Sequence, residues 1–318
     1  MPDSLDATFA SQDGLITRRQ ALAFLPDGAL QRRLGRRWQV VLPGIYAMDR
    51  SPLSWRQRLR AALLYAGPES MLNDTSALRM HGLPFVPDEG LVRVLVPDSV
   101  QRLSRQFVVT KRSWRLPDRV VVAGLPVAPL HRALCEFGAR HSSERESVAV
   151  LAAAVQQGRQ SIGSLVDEAH AAQARGRPRL LRVLAPIEAG IRSAPEADFR
   201  TLVARSRILP TPLWNSLIEL ADGTRFSPDA LFEDAALVHE VNGRMFHAPG
   251  EAGDDVFDAM QRRNDALVAA GFVVLHNAPR RLRDDANGVL RQVEAVYRKH
   301  SGRGLPDGVR LLRSRPAA

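Results

Sequence analysis

The sequence predicts a multidomain α+β chain: a small N-terminal helix–hairpin module, a mixed α/β middle region and a C-terminal α/β core. Short capped helices run into a hairpin around Pro43-Gly44, and strand-like and helical runs then alternate through the centre. From Ser193 onward the order is helix, β-hairpin, helix, strand, helix, which folds most simply as an α/β core with a mixed sheet. At 318 residues the chain can bury more than one sizeable core. The expected divisions are 1–50, 51–190, 191–300 and a flexible basic tail over 301–318.

In the first module, Thr17 is placed to N-cap a helix over Arg18–Leu25, whose Ala21, Leu22 and Leu25 share one side. Pro26-Asp27-Gly28 breaks it, and Asp27 can cap a second short helix through Leu34. Trp38–Leu42, Pro43-Gly44 and Ile45–Ala47 then read as a hairpin. Two helices followed by a β-hairpin is the outline of a winged helix-turn-helix. Arg32, Arg33, Arg36 and Arg37 fall on or just after the second helix, where such a module presents its DNA-facing side. The same arginines also suit a solvated helix end.

Residues 55–66 and 73–80 read as helices, followed by strand-like runs at 92–96, 107–110 and 120–122. Gly124–Val127 leads into a helix carrying His131, Arg132, Cys135 and Glu136, with Cys135 expected in the core. Helical stretches over 143–156 and 162–174 precede a charged turn, Arg175–Arg179.

In the last part, Ser193 starts a helix with Pro195 just inside it and Glu196 in its first turn. Ser227–Phe232 and Leu237–Gly243 follow as two apolar strands joined near Glu233-Asp234-Ala235, each with a carboxylate embedded in it. With the turn centred near Asp234, Asp229 falls almost opposite His239 and diagonal to Glu240. Such partners lie about 5–8 Å apart, close enough for two carboxylates to share a divalent cation. Acids inside apolar strands destabilise unless something pairs with them, so the segment is a candidate metal site or, more simply, a polar edge hairpin. A helix over 254–270, stopped by Gly271, a buried strand Phe272–Leu275 and a helix over 286–298 complete the core.

Composition narrows the partners. Net charge is +10, carried almost wholly by arginine, with Lys111 and Lys299 the only lysines. The arginine bias fits a GC-rich genome; the excess charge favours a polyanion such as nucleic acid. One cysteine excludes an intramolecular disulfide and a thiolate zinc cluster. No apolar run approaches a membrane span, and the N-terminus carries acids where a signal peptide is basic, so a cytoplasmic protein is expected.

Two stretches resemble known families. Residues 14–46, ending Pro43-Gly44-Ile45-Tyr46, resemble the N-terminal winged helix of AbiEi-type antitoxins and related transcriptional regulators. Ser76-Ala77, His81-Gly82-Leu83, Gly124–Val127 and His131-Arg132 extend that resemblance. Residues 193–298 resemble the Vsr-like branch of the PD-(D/E)xK nuclease superfamily, a restriction-endonuclease-like fold, through Ser227-Pro228-Asp229, Glu240–Gly243, His247, Arg262, Arg263 and Ala270-Gly271-Phe272.

The second resemblance implies a DNA endonuclease site. Asp229 and Glu240 would hold Mg²⁺, a hard cation suited to oxygen ligands. Glu196 would be a third acid aimed at the metal, or simply an acid favoured at a helix N-terminus. His247 would act as general base or orient water, or be an ordinary loop histidine. Asn242 stands where the motif has a catalytic lysine, or an aspartate in many relatives. Arg244 is the nearest cation, and arginine does not deprotonate to act as a base. Arg262 and Arg263 would contact phosphate or form a solvated helix face. The resemblances together imply a partner in double-stranded DNA. They leave two activities open: Mg²⁺-dependent phosphodiester hydrolysis, or a catalytically silent regulator that opposes a partner toxin.

Overall fold

In a computed structural model, the structure describes residues 4–172, 176–241 and 261–312. The chain is a mixed α/β protein with several separate sheets, and it divides into two compact units, Met1–Leu184 and Ala185–Ala318. The expected boundary near 190 thus falls a few residues earlier, inside a helix.

The first unit opens with helix α1 (Leu5–Ser11), strand β1 (Leu15–Thr17), helices α2 (Arg18–Leu22) and α3 (Asp27–Arg33), and strands β2 (Gln39–Leu42) and β3 (Ile45–Ala47). The strands form an antiparallel sheet in the order β1-β3-β2. Thr17 caps α2 through a reciprocal capping box with Gln20, as its position predicts. Gly44 takes φ +76° in the β2–β3 turn, a backbone region that favours glycine. Phe9, Ile16, Ala21, Leu30, Trp38 and Tyr46 close a small core, with Phe9 edge-on to Trp38 at 5.0 Å.

Several expectations for this module are corrected. The leading helix α1 and strand β1 were not foreseen, because neither is long enough to show a period. The first helix stops at Leu22 instead of Leu25. Asp27 lies inside α3 and caps nothing; Pro26 holds the N-cap position without a side-chain bond, and the Asp27 carboxylate pairs with Arg18 at 2.5 Å.

Helix α4 (Trp55–Ala66), capped by Ser54 and Gln57, leads to a five-stranded sheet. Its strands are β4 (Met71–Leu72), β5 (Val92–Pro97), β6 (Val108–Ser113), β7 (Val120–Val122) and β8 (Leu125–Val127), in the order β6-β5-β4-β8-β7. Helices α5 (Asp74–Met80), α6 (Leu130–Arg140), α7 (Glu144–Gln156) and α8 (Ile162–Ala171) follow in the chain order β4-α5-β5 and β8-α6-α7-α8. Cys135 is buried on α6, as expected. Arg177–Arg179, expected as a turn, instead begins helix α9 (Arg177–Glu188), where Pro178 is tolerated because the first helical turn needs no N–H from it.

The second unit contains α10 (Ala194–Val203), β9 (Leu213–Trp214), β10 (Leu217–Glu219), β11 (Arg225–Phe226), β12 (Ala230–Phe232), β13 (Leu237–Val241), α11 (residues 261–269), β14 (Val273–Asn277), α12 (Pro279–Asp284), α13 (Ala286–His300) and β15 (Arg310–Leu312). A four-stranded sheet runs β14-β13-β12-β9, with β13 and β14 parallel and the other pairs antiparallel. One face packs Phe232 and Leu237 against Phe199 of α10 and Val289 and Val293 of α13. The other packs Leu231 and Val238 with Ile218, Leu267 of α11 and Phe272. This alternation is the period-2 pattern of a sheet covered on both faces.

The tail from 301 does not fray through its described part. Leu305 and Val309 pack against the second core, and β15 pairs antiparallel with β10 in a small sheet, β11-β10-β15. That packing, the pairing with β10 and an ion pair from Arg310 to Glu219 hold a segment whose Arg, Gly and Pro content reads as loose. Among the described residues, no helix is long and apolar enough to cross a membrane.

Candidate functional site

Of the two carboxylates expected within strands, Glu240 lies in β13, whereas Asp229 falls in a bend one residue before β12, across the hairpin from it. A 3-10 turn over Glu233–Ala235, closed by Ala236 at φ +46°, sets the pairs Ala230↔His239, Leu231↔Val238 and Phe232↔Leu237. Continued by one residue, this register puts Asp229 opposite Glu240, where the sequence placed it opposite His239. The offset comes from Ala236, which enters the left-handed region without a glycine to announce it. Residues directly opposite share a sheet face, so both carboxylates point to the α11 side, whereas His239 points to the α10 side.

His239 is accordingly a core residue. It is fully buried, stacks on Phe199 with ring centroids 3.6 Å apart, and meets Asn277 Nδ2 at 3.0 Å through Nε2. Burial pushes its pKa down to about 3, with the charge of His276 adding to the effect, so the ring is neutral.

The carboxylates occupy the opposite situation. Asp229 Oδ2 accepts a 2.7 Å hydrogen bond from the Val241 amide, which locks it across the strand pair. Glu240 is buried, and its Oε1 accepts from Arg263 Nη2 of α11 at 2.7 Å. Arg263 also donates to the Ser227 carbonyl at 3.0 Å and lies over the Phe226 ring, 5.7 Å from its centroid. Burial pushes the Asp229 carboxyl up to about 6, and Glu196 raises it further against the Val241 amide and Arg263. Burial likewise pushes Glu240 up to about 7, with Asp229 the next cause and Arg263 opposing. Two acids forced together around one guanidinium leave a site short of positive charge.

Glu196 reaches this region from the first turn of α10 but is already engaged. Its Oε1 accepts from Ser193 Oγ at 2.8 Å; its Oε2 accepts from the Arg192 amide at 2.9 Å and from Asn215 Nδ2 at 3.0 Å. Its contact role is that of a helix cap, and its charge acts on the pair from there. Asn215, buried at φ +49°, also donates to the Gly190 carbonyl at 2.8 Å, and its amide N–H donates to the Asp229 carbonyl at 3.2 Å. It ties the cap to the strand, a part that its place between two short strands did not reveal.

His276 is a further residue that sequence reasoning missed. The parallel register pairs it with Glu240, which puts it on the carboxylate face, and its ring nitrogen meets Asn264 Oδ1 at 3.1 Å. Burial and the nearby Arg263 lower its pKa, which favours a neutral imidazole. Of the other expected residues, Arg262 is exposed on α11. Asn242, Arg244 and His247 lie outside the described residues.

Among the described residues, no group of three or more His, Cys, Asp or Glu is arranged to hold a metal ion. The donor set of Asp229 and Glu240 nevertheless fits Mg²⁺, which takes one or two protein carboxylates and keeps several waters.

In the first unit, Arg32, Arg36 and Arg37 are exposed at the end of α3 and beyond it. Arg33 is folded back, donating to the Ala29 carbonyl at 3.3 Å with its guanidinium 5.9 Å from the Trp38 ring centroid. The four arginines are therefore not equivalent.

No protein-family model and no curated protein matches this chain. Among solved structures, the RV2827C protein from Mycobacterium tuberculosis is similar at a TM-score of 0.38 and 19% identity, over 60% of this chain and 80% of that one. A likeness at that level defines neither fold nor function.

Proposed function

We propose that this protein binds double-stranded DNA and carries, in its second unit, a Mg²⁺-dependent site for phosphodiester hydrolysis of the Vsr-like kind. The observation that carries the reading is the Asp229–Glu240 pair: across the hairpin from each other by the continued register, largely buried, and both raised in proton affinity, Asp229 by burial and by Glu196, Glu240 by burial and by Asp229. A helix before the hairpin, and a helix leading to a strand parallel to β13, supply the frame in which the nuclease resemblance places such a pair.

Asp229 and Glu240 would hold the metal, whose chemistry at such a site is to polarise the scissile phosphate and lower the pKa of a bound water. The chain's own residues set the surroundings. Val241 and Arg263 fix the orientation of the two carboxylates, and Arg263 offers positive charge beside the pair. His276, neutral on the same face, is suited to accept a proton from water. Three helices and an antiparallel β1-β3-β2 sheet support reading residues 4–50 as a winged helix, with Arg32, Arg36 and Arg37 on phosphates.

The test is plasmid cleavage with Mg²⁺. Wild-type protein nicks or linearises supercoiled DNA, while Asp229→Ala and Glu240→Ala do not. Cleavage surviving both substitutions removes this site from the reaction.

A second reading rests on the Arg263–Glu240 ion pair at 2.7 Å, which already supplies one positive charge to the carboxylates. Together with Asn242 in place of a lysine, it favours an antitoxin-like regulator that binds promoter DNA without cutting it and opposes a partner toxin. DNA binding without metal binding in calorimetry selects this reading.

A further inference from the structure

A cavity of about 390 Å³ lies within the first unit, between the end of β6 and the segment after it, α6 and α8. It is separate from the carboxylate pair in sequence and in chemistry. Its volume falls at the small end of the ~300–1,000 Å³ typical of small-molecule sites, which suits a ligand the size of one nucleotide and not a duplex.

The floor is built and rigid. Arg132 is buried, and its guanidinium donates to Glu136 at 3.0 Å, to Ser113 Oγ at 3.2 Å, and to the Arg115 carbonyl at 3.3 Å. It also meets Glu168 at 3.4 Å. Lys111 pairs with Glu136 from one side and Arg115 with Glu168 from the other. Each carboxylate is therefore shared by two cations, and a buried network fixed in this way holds its shape without a ligand. Cys135 also lines the cavity, but burial raises its thiol pKa and it donates to the Leu165 carbonyl at 3.5 Å, which makes it an inert wall.

The charge does not balance. Arg112 lines the same cavity and is exposed, and it forms no ion pair with any described residue. Arg140, also lining it, is held by Asp74 and Glu89. With Arg140 set aside, the cations Lys111, Arg112, Arg115 and Arg132 face only Glu136 and Glu168. Beside Arg112 stands Trp114, which lines the cavity while 68% of its surface is exposed. A large indole left in water at the mouth of a cationic cavity offers a flat face for a planar ring, next to charge that selects an anion.

We propose that this cavity binds a nucleoside monophosphate, with its phosphate held by Arg112 and its base stacked on Trp114, two positions away on the same side of the chain. The phosphate answers the surplus of cations, the base answers the exposed indole, and the volume admits one nucleotide. Arg112 offers the planar fork that suits phosphate.

The test is calorimetry on the full chain with 5′-AMP, 5′-GMP and 5′-CMP, the matching nucleosides, and inorganic phosphate. At least one monophosphate binds ten times or more tightly than its nucleoside and than inorganic phosphate. Trp114→Ala weakens that nucleotide about tenfold, the size of one base–aromatic stack, and leaves phosphate unchanged. Arg112→Glu abolishes binding of both. Both side chains are exposed, and unchanged thermal melts verify that the variants fold. The proposal is overturned if no monophosphate binds more tightly than inorganic phosphate, or if nucleotide binding survives both substitutions unaltered.

Discussion

Glu240 on β13 and Arg263 on α11 are joined at 2.7 Å, beside an Asp229 that the hairpin register places directly across from Glu240. No described residue pairs with Asp229 as Arg263 does with Glu240; Arg263 and Arg192 act on Asp229 only as nearby charges. The chemistry of the second unit turns on that shortage of positive charge, and it fixes the sign of the predictions below.

Removing the arginine exposes the shortage. Arg263→Ala leaves Glu240 buried without its partner, and because Arg263 opposes the rise in its pKa, the carboxyl titrates still higher. Arg263 is about a third exposed, so the loss of stability is about 1–3 kcal/mol, below that of a fully buried pair. Urea unfolding at pH 7 measures it, and Glu240→Gln in the same background recovers part of the loss.

The pair also sets a pH dependence. Asp229 is pushed up to about 6 and Glu240 to about 7, above the ordinary carboxyl values. At these two groups the folded chain therefore binds more protons than the unfolded chain between about pH 4 and 7, while at His239, pushed down to about 3, it binds fewer below about pH 6.5. The stabilisation is complete below pH 4 and is lost as pH rises through 7, on the order of 3 kcal/mol for the coupled pair. Asp13 and Glu89, held down by neighbouring arginines, act in the opposite direction, but their effect is complete by pH 5. The difference between wild type and Asp229→Asn/Glu240→Gln, followed by denaturant unfolding from pH 5 to 8, isolates the pair.

Arginines of the first unit divide by their surroundings. Arg32→Ala, Arg36→Ala and Arg37→Ala each weaken binding to duplex DNA and lower the slope of log K against log salt by about 1. Arg33→Ala changes the slope less, because its side chain is folded onto the Ala29 carbonyl and Trp38. Fluorescence anisotropy across a salt series resolves the two classes.

The cap of α2 is a purely structural control. Thr17→Ala removes the side-chain half of the capping box with Gln20, leaving the backbone N–H of residue 17 on Gln20 Oε1, and destabilises the module by ~1 kcal/mol. A melt of the full chain detects it, while affinity for Mn²⁺ stays unchanged.

Local signals carried much of this fold into view. Thr17 and Ser193 are legible caps because a side-chain oxygen just before an apolar period has one common use. Pro43-Gly44 announces its turn through the positive φ of Gly44. Asp229 and Glu240 stand out because acids are rare in apolar strands. Their register was not legible, since it depends on Ala236 adopting a conformation that its side chain disfavours. Nor were Asn215, Arg263 and His276, whose roles arise from partners far away in sequence: Glu196, Glu240 and the β14 register. The β11-β10-β15 sheet was hidden for another reason. Its strands are two or three residues long, too short to display alternation.

The central claim is that Asp229 and Glu240 form a divalent-cation site, and calorimetric titration of the full chain with Mn²⁺ at pH 7.5 tests it most directly. The account predicts one saturable site per chain, lost in both Asp229→Asn and Glu240→Gln while both variants remain folded. No binding by the wild type, or a site that survives both substitutions, contradicts it.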